Sequence, residues 1–219
     1  MDFKLLFNLW KKAIVSPAEA FKSKGNLGLA AQSVAIAGII AGVLSGLAQS
    51  VNPTPVPNYF PNGTLQNVTI PHYTPTGFAL NVVASTILTP IVSILSLLIF
   101  SGILYIFALM LGAKNGFEPQ TYNISLYYSP YLIISAILSF IPIAGSVVSF
   151  LFLLYLLYPL TEAIKMANNF STGRAVAVWL LPIMILVLLA VALFAAVFAL
   201  ILSSSSITGG FIHILGVGK

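Results

Sequence analysis

Long stretches without a formal charge constrain this chain more than any other feature. Between Lys24 and Glu162 the only charged residues are Lys114 and Glu118. Over the whole chain 59% of residues are hydrophobic and 6% are charged, far fewer charges than the roughly 25% of soluble domains. The uncharged stretch Leu27–Ala48 would measure about 33 Å as a helix, enough for a hydrocarbon core of about 30 Å. The sequence therefore predicts an integral membrane protein.

The distribution of the charges excludes several classes of function. The formal net charge is +5, and five of the nine Lys and Arg residues lie within the first 24 residues, beside apolar segments. This placement fits anionic lipid headgroups and argues against a nucleic-acid partner. The chain has no cysteine, which excludes disulfides and thiolate metal ligands. The first apolar run is long and follows a mixed segment, so we expect an uncleaved anchor rather than a signal peptide.

The first 25 residues are predicted to form a cytosolic, amphipathic, juxtamembrane segment. Large apolar residues recur there at helical spacing among lysines, which is typical of a helix lying in the headgroup layer. These apolar residues are Phe3, Leu6, Phe7 and Trp10. Next, Ser16 and Glu19 form a capping-box pattern around Pro17, which predicts a second short helix from Pro17 to about Lys24. The alternative is a solvated basic linker.

The rest of the chain predicts an all-α, polytopic fold, a bundle of five transmembrane helices preceded by the amphipathic interfacial helix. The membrane domain is expected to cover residues 26–202, with an outer proline-rich loop at 49–77 and an outer tail at 203–219. An uncharged turn at 141–145 would separate spans three and four. The expected spans are 27–48, 90–112, 122–141, 146–163 and 175–202.

The orientation follows from the positive charges. With five spans, eight Lys and Arg residues fall on the side of the amino terminus and one, Lys219, on the other side. By the positive-inside rule the amino terminus is expected to be cytosolic and the carboxyl terminus outside.

The apolar stretch Phe78–Gly112 is too long for a single perpendicular span, at about 52 Å as a straight helix. Thr89 can cap a helix and Pro90 suits the first helical position. We therefore expect a separate helix from about Gly77 to Leu88, followed by span two. The alternative is one long helix kinked at Pro90.

Three glycines, Gly38, Gly42 and Gly46, lie four residues apart in span one. This spacing puts small residues on one face, where another backbone can approach closely. We favour packing against a neighbouring span of the same chain over a homodimer seam.

The outer loop contains six of the thirteen prolines and two acceptor patterns for N-glycosylation, at Asn62 and Asn67. Prolines at this density disfavour a regular helix or a central strand, so we expect a polar loop in water.

No catalytic or metal-binding set emerges from the sequence. Glu162 and Lys165 are spaced for a helix-surface ion pair. His72 and His213 are isolated from acids and from each other, which does not predict a metal site. Serines are expected to hydrogen-bond between helices. We therefore expect neither a cofactor nor an enzyme.

Tyrosines dominate the polar inventory of spans three and four. They favour anchoring and helix packing near the interface. The alternative is a polar cleft between spans three and four for a lipid headgroup or a small amphiphile. Its candidate lining residues are Tyr127, Tyr128, Tyr131 and Tyr155.

Two parts of the sequence resemble the Yip domain family, five-span membrane proteins whose eukaryotic members are named as interactors of Ypt and Rab GTPases. The first is the aromatic and Ser-Pro segment from Leu9 to Phe21, which is similar to that of prokaryotic members. The second is a glycine-bearing loop followed by a tyrosine and a proline in span three. The matching residues are Leu111, Gly112, Gly116, Phe117, Tyr128 and Pro130.

The chain departs from eukaryotic members because it lacks their long cytosolic amino-terminal region and their acidic, aromatic-rich motif. The resemblance implies the five-span architecture and a role in membrane organisation or trafficking. It leads to the hypothesis of a non-enzymatic protein that scaffolds partners or shapes the bilayer. The expected partners are the lipid bilayer, through anionic headgroups at the amino terminus, and membrane proteins or a second copy of the chain. The alternative is a transporter, channel or lipid-handling protein that uses the tyrosine cleft.

Overall fold

The computed structural model describes residues 3–51, 56–59, 65–68 and 75–214, and they form seven helices and one pair of strands. Contacts between residues divide the chain into two compact units, Met1–Val178 and Trp179–Lys219. The helices are α1 (Phe3–Val15), α2 (Pro17–Ala20), α3 (Leu27–Val51), α4 (Pro75–Met110), α5 (Phe117–Leu138), α6 (Pro142–Asn168) and α7 (Thr172–Ile214).

Two short antiparallel strands, β1 (Val56–Tyr59) and β2 (Leu65–Val68), lie within the proline-rich segment. Val56 pairs with Val68 and Tyr59 with Leu65. Pro57 is tolerated because a two-stranded ribbon has only edge strands, where a missing N–H disturbs no second neighbour.

Helices α3 and α4 pack antiparallel along the glycine face of α3. A Cβ atom built on Gly38 would lie 2.6 Å from the Cα atom of Pro90, and one on Gly46 would lie 2.8 Å from that of Val82. Gly42 lies against the backbone of Ser85 in the same way. The two backbones therefore approach more closely than any side chain on these three positions would allow.

The predicted division at Thr89 and Pro90 is wrong, because α4 runs unbroken from Pro75 to Met110 with Pro90 inside it. A proline removes one helical hydrogen bond, but neighbouring helices can compensate for it in a membrane protein. Here Pro90 itself and the turns before it, at Val82 and Ser85, pack on α3, which provides that support.

Helices α5 and α6 are joined by a short turn through Phe140. The predicted turn at 141–145 is wrong in its extent, since α6 begins at Pro142, which occupies the first helical turn. Gly145 lies against the carbonyl of Leu138, so the two helices meet without an intervening side chain. Helix α6 continues to Asn168 and ends with Asn169 in the left-handed conformation, at φ 53°.

The capping box predicted at Ser16 does not form. Ser16 occupies the N-cap position of α2, but its side chain makes no capping hydrogen bond. Glu19 instead approaches Lys12 of α1 at 3.8 Å. Helix α2 ends at Ala20, four residues before the predicted end at Lys24, since only the backbone and Pro17 support it.

Four helices among the described residues are long and apolar enough to cross a membrane: α3, α4, α6 and α7. Helix α5, predicted as span three, is not one of them. With the resulting all-helical membrane segments, the chain is a multi-pass integral membrane protein.

The second unit begins within α7, at Trp179. Every residue from Ile183 to Ile201 is apolar and exposed. The rings of Phe194 and Phe198 stack with centroids 6.3 Å apart. The helix continues to Ile214, so the serine run beyond 202 is helical.

Candidate functional site

The first half of α5 buries an unusual number of polar side chains. Each is at most 4% exposed, and each makes a hydrogen bond to a neighbouring turn or helix. Pairing matters because an unpaired buried polar group costs about 1–3 kcal/mol. We call this set the polar core; its members are Gln120, Thr121, Asn123, Ser125 and Ser129.

Gln120 connects α4 to α6 through the polar core. Its amide nitrogen donates to the carbonyl of Ser101 at 3.3 Å, and its amide oxygen accepts from Asn168 at 2.9 Å. The hydroxyls of Thr121 and Ser101 are 2.7 Å apart. The side chain of Asn123 donates to the carbonyl of Ala163 at 3.3 Å. The polar core therefore fixes the rotation of α5 relative to both neighbours.

The glycine-bearing loop ends α4 with a defined hydrogen-bond pattern. Gly112 has a φ of +89°, which favours glycine because it has no Cβ. The amide of Ala113 donates to the carbonyl of Ala108 at 2.9 Å, and that of Gly112 to Leu109 at 3.0 Å. This is a Schellman termination, and it satisfies the last carbonyls of the helix.

The rest of the loop is held between α4 and α6. The hydroxyl of Tyr105 donates to the carbonyl of Asn115 at 3.2 Å, and the side chain of Asn115 donates to the carbonyl of Ala167. The rings of Tyr105 and Phe117 meet edge to face at 5.7 Å. Gly116 precedes α5 in an extended conformation. Lys114 remains exposed on this ordered loop.

Charged groups gather where the loop meets the end of α6. The predicted ion pair between Glu162 and Lys165 is confirmed, with 2.9 Å between Lys165 Nζ and Glu162 Oε1. The Glu162 side chain is only 12% exposed, so the pair is partly buried rather than on the open surface. We call this region, with the loop 111–116 and the ends of α4 and α6, the polar end.

Helix α1 is fixed to the bundle by its buried face. Leu6, Trp10 and Ala13 are at most 2% exposed. The indole N–H of Trp10 donates to Ser33 of α3 at 2.8 Å, and the hydroxyl of Ser33 is 2.8 Å from that of Ser129 in α5. These bonds confirm the expectation that serines connect helices. They join α1, α3 and α5 in one buried chain of hydrogen bonds.

The other side of α1 is open. Phe3, Leu5 and Phe7 are 55–58% exposed, and the three lysines of this helix are exposed beside them. Sequence reasoning placed Leu6 and Trp10 together with Phe3 and Phe7 on one face. The structure separates them, since the first pair packs on protein and the second pair does not.

The tyrosines between α5 and α6 contact one another in series. Ring centroids are 6.2 Å apart for Tyr128 and Tyr131, and 6.4 Å for Tyr155 and Tyr158. Phe152 joins the two pairs, at 6.2 Å from Tyr131 and 6.0 Å from Tyr155. These ring contacts form a seam between α5 and α6 whose α6 end is open, since Tyr155 is 40% and Tyr158 53% exposed.

Two features of this seam differ from the sequence reasoning. Tyr127 is buried, at 5% exposed, and is not part of the series of ring contacts. Phe152 was missed, although its spacing of three residues from Tyr155 and six from Tyr158 was a visible signal. Tyr155 also donates a hydrogen bond to the carbonyl of Ile14, which ties α1 to α6.

The remaining predicted positions carry no site in the described part of the chain. No group of three or more histidines and acids there could hold a metal ion. His72 and Asn62 lie outside the described residues, and the side chains of Asn67 and His213 are not described.

A protein-family model matches most of the chain. The model of the Yip1 domain matches residues 11–195. Comparison with curated proteins and with solved structures gives no match. The matched region contains the glycine-bearing loop, the polar core, the α3–α4 packing and both residues of the tyrosine and proline pair in α5. The chain therefore belongs to the Yip1 domain family.

Proposed function

We propose that the protein is a non-enzymatic, five-span scaffold that organises or shapes the bilayer through α1 and the loops at the polar end. Family membership and the apolar helices support a membrane role. The few acidic residues in the described part of the chain support a non-enzymatic role. Glu162 is ion-paired and the others are exposed, so they do not form a buried catalytic set.

The fifth span in this proposal is α5. Its 22 residues would extend about 33 Å, long enough to cross the hydrocarbon core. Its polar side chains are paired with α3, α4 and α6, so they would not face lipid. The five spans would be α3 to α7, with the amino terminus cytosolic and the carboxyl terminus outside.

The depth of α1 supports its proposed place at the interface. Asn123 of α5 bonds Ala163, which neighbours Glu162 of the ion pair. The hydrogen-bond chain that starts at Trp10 ends at Ser129 of α5. Ser129 lies six residues after Asn123, which is about 9 Å along the helix. Interfacial helices lie about 5–10 Å into the boundary between headgroups and acyl chains. With the ion pair marking that boundary, α1 lies at interfacial depth.

The observation that carries the proposal is that two apolar side chains of α1, Phe3 and Leu5, are exposed on either side of the exposed Lys4. These side chains would insert between lipids while the lysines attract anionic headgroups. A protein that inserts such a helix on one leaflet expands that leaflet, which favours curvature.

The test compares Phe3→Ser/Leu5→Ser with the parent protein in anionic liposomes, by flotation and by tubulation under electron microscopy. Deleting residues 1–24 is less informative, because it also removes Leu6 and Trp10 from the core. Tubulation should fall while the protein stays folded. Ala18→Ser, an exposed change in α2, is the control. Unchanged tubulation in the double variant would reject the membrane-shaping role.

A further inference from the structure

The amino-terminal helix does not close completely on the bundle. A cleft of about 310 Å³ remains between one flank of α1 and the middle of α5. Carbon atoms line almost all of it. Phe7, Ile14 and Val15 contribute from α1, and Pro130, Ile133 and Ile134 from α5.

The position of Lys11 gives this cleft a polarity. Lys11 lines the cleft, and it is exposed, so its charged end reaches solvent while its stem runs along the apolar wall. Phe7 precedes it by four residues, which puts both side chains on the same face of α1. The cleft therefore has an apolar floor and a cationic group at its mouth.

We propose that this cleft binds one acyl chain of a phospholipid whose anionic headgroup pairs with Lys11. The volume lies at the lower end of the range of ligand pockets, and an acyl chain needs no hydrogen-bond partner on the walls. Charge complementarity selects an anionic headgroup over a zwitterionic one. The binding site rests on the proposed interfacial position of α1, but it needs neither scaffolding nor membrane shaping.

The proposed lipid would stabilise the packing of α1 against the bundle. The buried face of the helix is already held by the hydrogen bond from Trp10 to Ser33, and Trp10 also lines the cleft. A chain in the cleft would fill the apolar space between α1 and α5 beside that hydrogen bond. The presence of the lipid would thus couple headgroup composition to the position of the basic helix.

Trp10 provides the probe. The chain has two tryptophans, so the Trp179→Phe variant reports on Trp10 alone. The full-length protein is reconstituted in phosphatidylcholine vesicles that contain a minor fraction of phosphatidylglycerol with brominated chains, which quench indole fluorescence on contact. Phosphatidylcholine with the same brominated chains is the matched lipid.

We expect quenching that saturates with brominated phosphatidylglycerol and favours it about fivefold over the matched lipid, the effect of one lysine near the surface. Lys11→Gln should abolish this preference, whereas Lys22→Gln, an exposed lysine outside the cleft, should keep it. Ile134→Phe should fill the cleft and reduce quenching by both lipids. Val15→Phe, at the exposed edge, repeats that test where Ile134→Phe fails to fold.

The proposal is overturned by unsaturable quenching without headgroup preference, or by equal effects of Lys11→Gln and Lys22→Gln. It is also overturned if Trp10 is quenched as strongly in Ile134→Phe and Val15→Phe as in the parent protein. A lack of quenching in the parent, because a protein segment occupies the cleft, would overturn it as well. If the quenching experiment fails and tubulation is normal, the lipid site is rejected and the proposed function stands. Unchanged tubulation in Phe3→Ser/Leu5→Ser with normal quenching would reject only the membrane-shaping role, since neither residue lines the cleft.

Discussion

Helices α5 and α7 have opposite relations between burial and polarity. Ten of the 22 residues of α5 are buried, and they include Gln120, Asn123 and Ser129. In α7 every residue from Ile183 to Ile201 is apolar, and every one is exposed. The buried part of α5 thus includes the whole polar core, whereas α7 is entirely apolar where it is exposed between Ile183 and Ile201. A soluble protein of the same helical content would show the reverse.

The solvent explains this inversion. In lipid an exposed polar group without a partner costs several kcal/mol, so the surface must be apolar. A helix enclosed by other helices can carry polar groups if each finds a partner, as the polar core of α5 does. Hydropathy therefore measures exposure to lipid, which is why α7 is an obvious candidate span and α5 is not.

The largest expected effect comes from making α5 more apolar. Ser129→Leu adds volume at a position that is 0% exposed and removes one of the two hydrogen-bond partners of Ser33, leaving it Trp10. Overpacking costs about 1–3 kcal/mol and a buried hydroxyl that loses a partner about 1–3 kcal/mol, so we expect a loss of about 2–6 kcal/mol. Unfolding in mixed micelles with increasing SDS measures it.

The matched control for Ser129→Leu is Ala190→Leu in α7, which adds a similar side chain at an exposed position. It should change the free energy of unfolding by no more than about 0.5 kcal/mol. Equal losses in the two variants would contradict the comparison, because they would mean that α7 is packed as tightly as α5.

The second prediction concerns the amide pair that connects α5 to α6. Gln120→Leu removes one of the two acceptors of the Asn168 amide and leaves it the carbonyl of Ile164, and we expect a loss of about 1–3 kcal/mol in the same unfolding assay. The double variant with Asn168→Leu should recover part of that loss, since replacing both partners by apolar groups can be nearly neutral. Additive losses would show that the two side chains are not coupled.

The third prediction makes the exposed surface of α7 more polar, the reverse of making the buried α5 more apolar. Leu188 is 66% exposed, so Leu188→Asn puts an amide on the exposed surface. In lipid such an amide finds a partner in another copy, and model helices gain about 1–2 kcal/mol from this contact. Energy transfer between labelled copies should increase for Leu188→Asn and not for Leu188→Phe. No increase would mean that this face is already covered or does not face lipid.

Sequence reasoning succeeded where charge alone decides the structure. The charge-free lengths of α3, α6 and α7 predicted apolar membrane helices, and the spacing of Glu162 and Lys165 predicted an ion pair. The family resemblance came from the loop around Gly112, whose positive φ depends on local backbone geometry. These features are determined within one helix or one turn.

Features that depend on distant residues were not predictable in the same way. The chain from Trp10 through Ser33 to Ser129 joins residues up to 96 positions apart. The continuity of α4 through Pro90 depends on the closeness of Gly38 in another helix. The low helix propensity of proline favoured a break of α4 at Pro90, but packing against α3 keeps the helix continuous. The cleft beside α1 exists only because α1 packs on the side of α5.

The smallest expected effect is at the polar end, and it tests where the lipid boundary lies. Lys165→Ala removes the ion pair with Glu162. Because the Lys165 side chain still reaches water, at 34% exposed, we expect a loss of about 0.5–1 kcal/mol, the upper part of the range for surface pairs. The loss should shrink in high salt, because exposed charges are screened over about 8 Å at physiological ionic strength. Lys22→Ala, an exposed lysine without that partner, is the control in the same SDS titration.

A loss of several kcal/mol that salt does not change would mean that Glu162 is withdrawn from water. The headgroup boundary would then lie closer to the loop 111–116, and α1 would sit deeper among the acyl chains than the interfacial depth proposed for it.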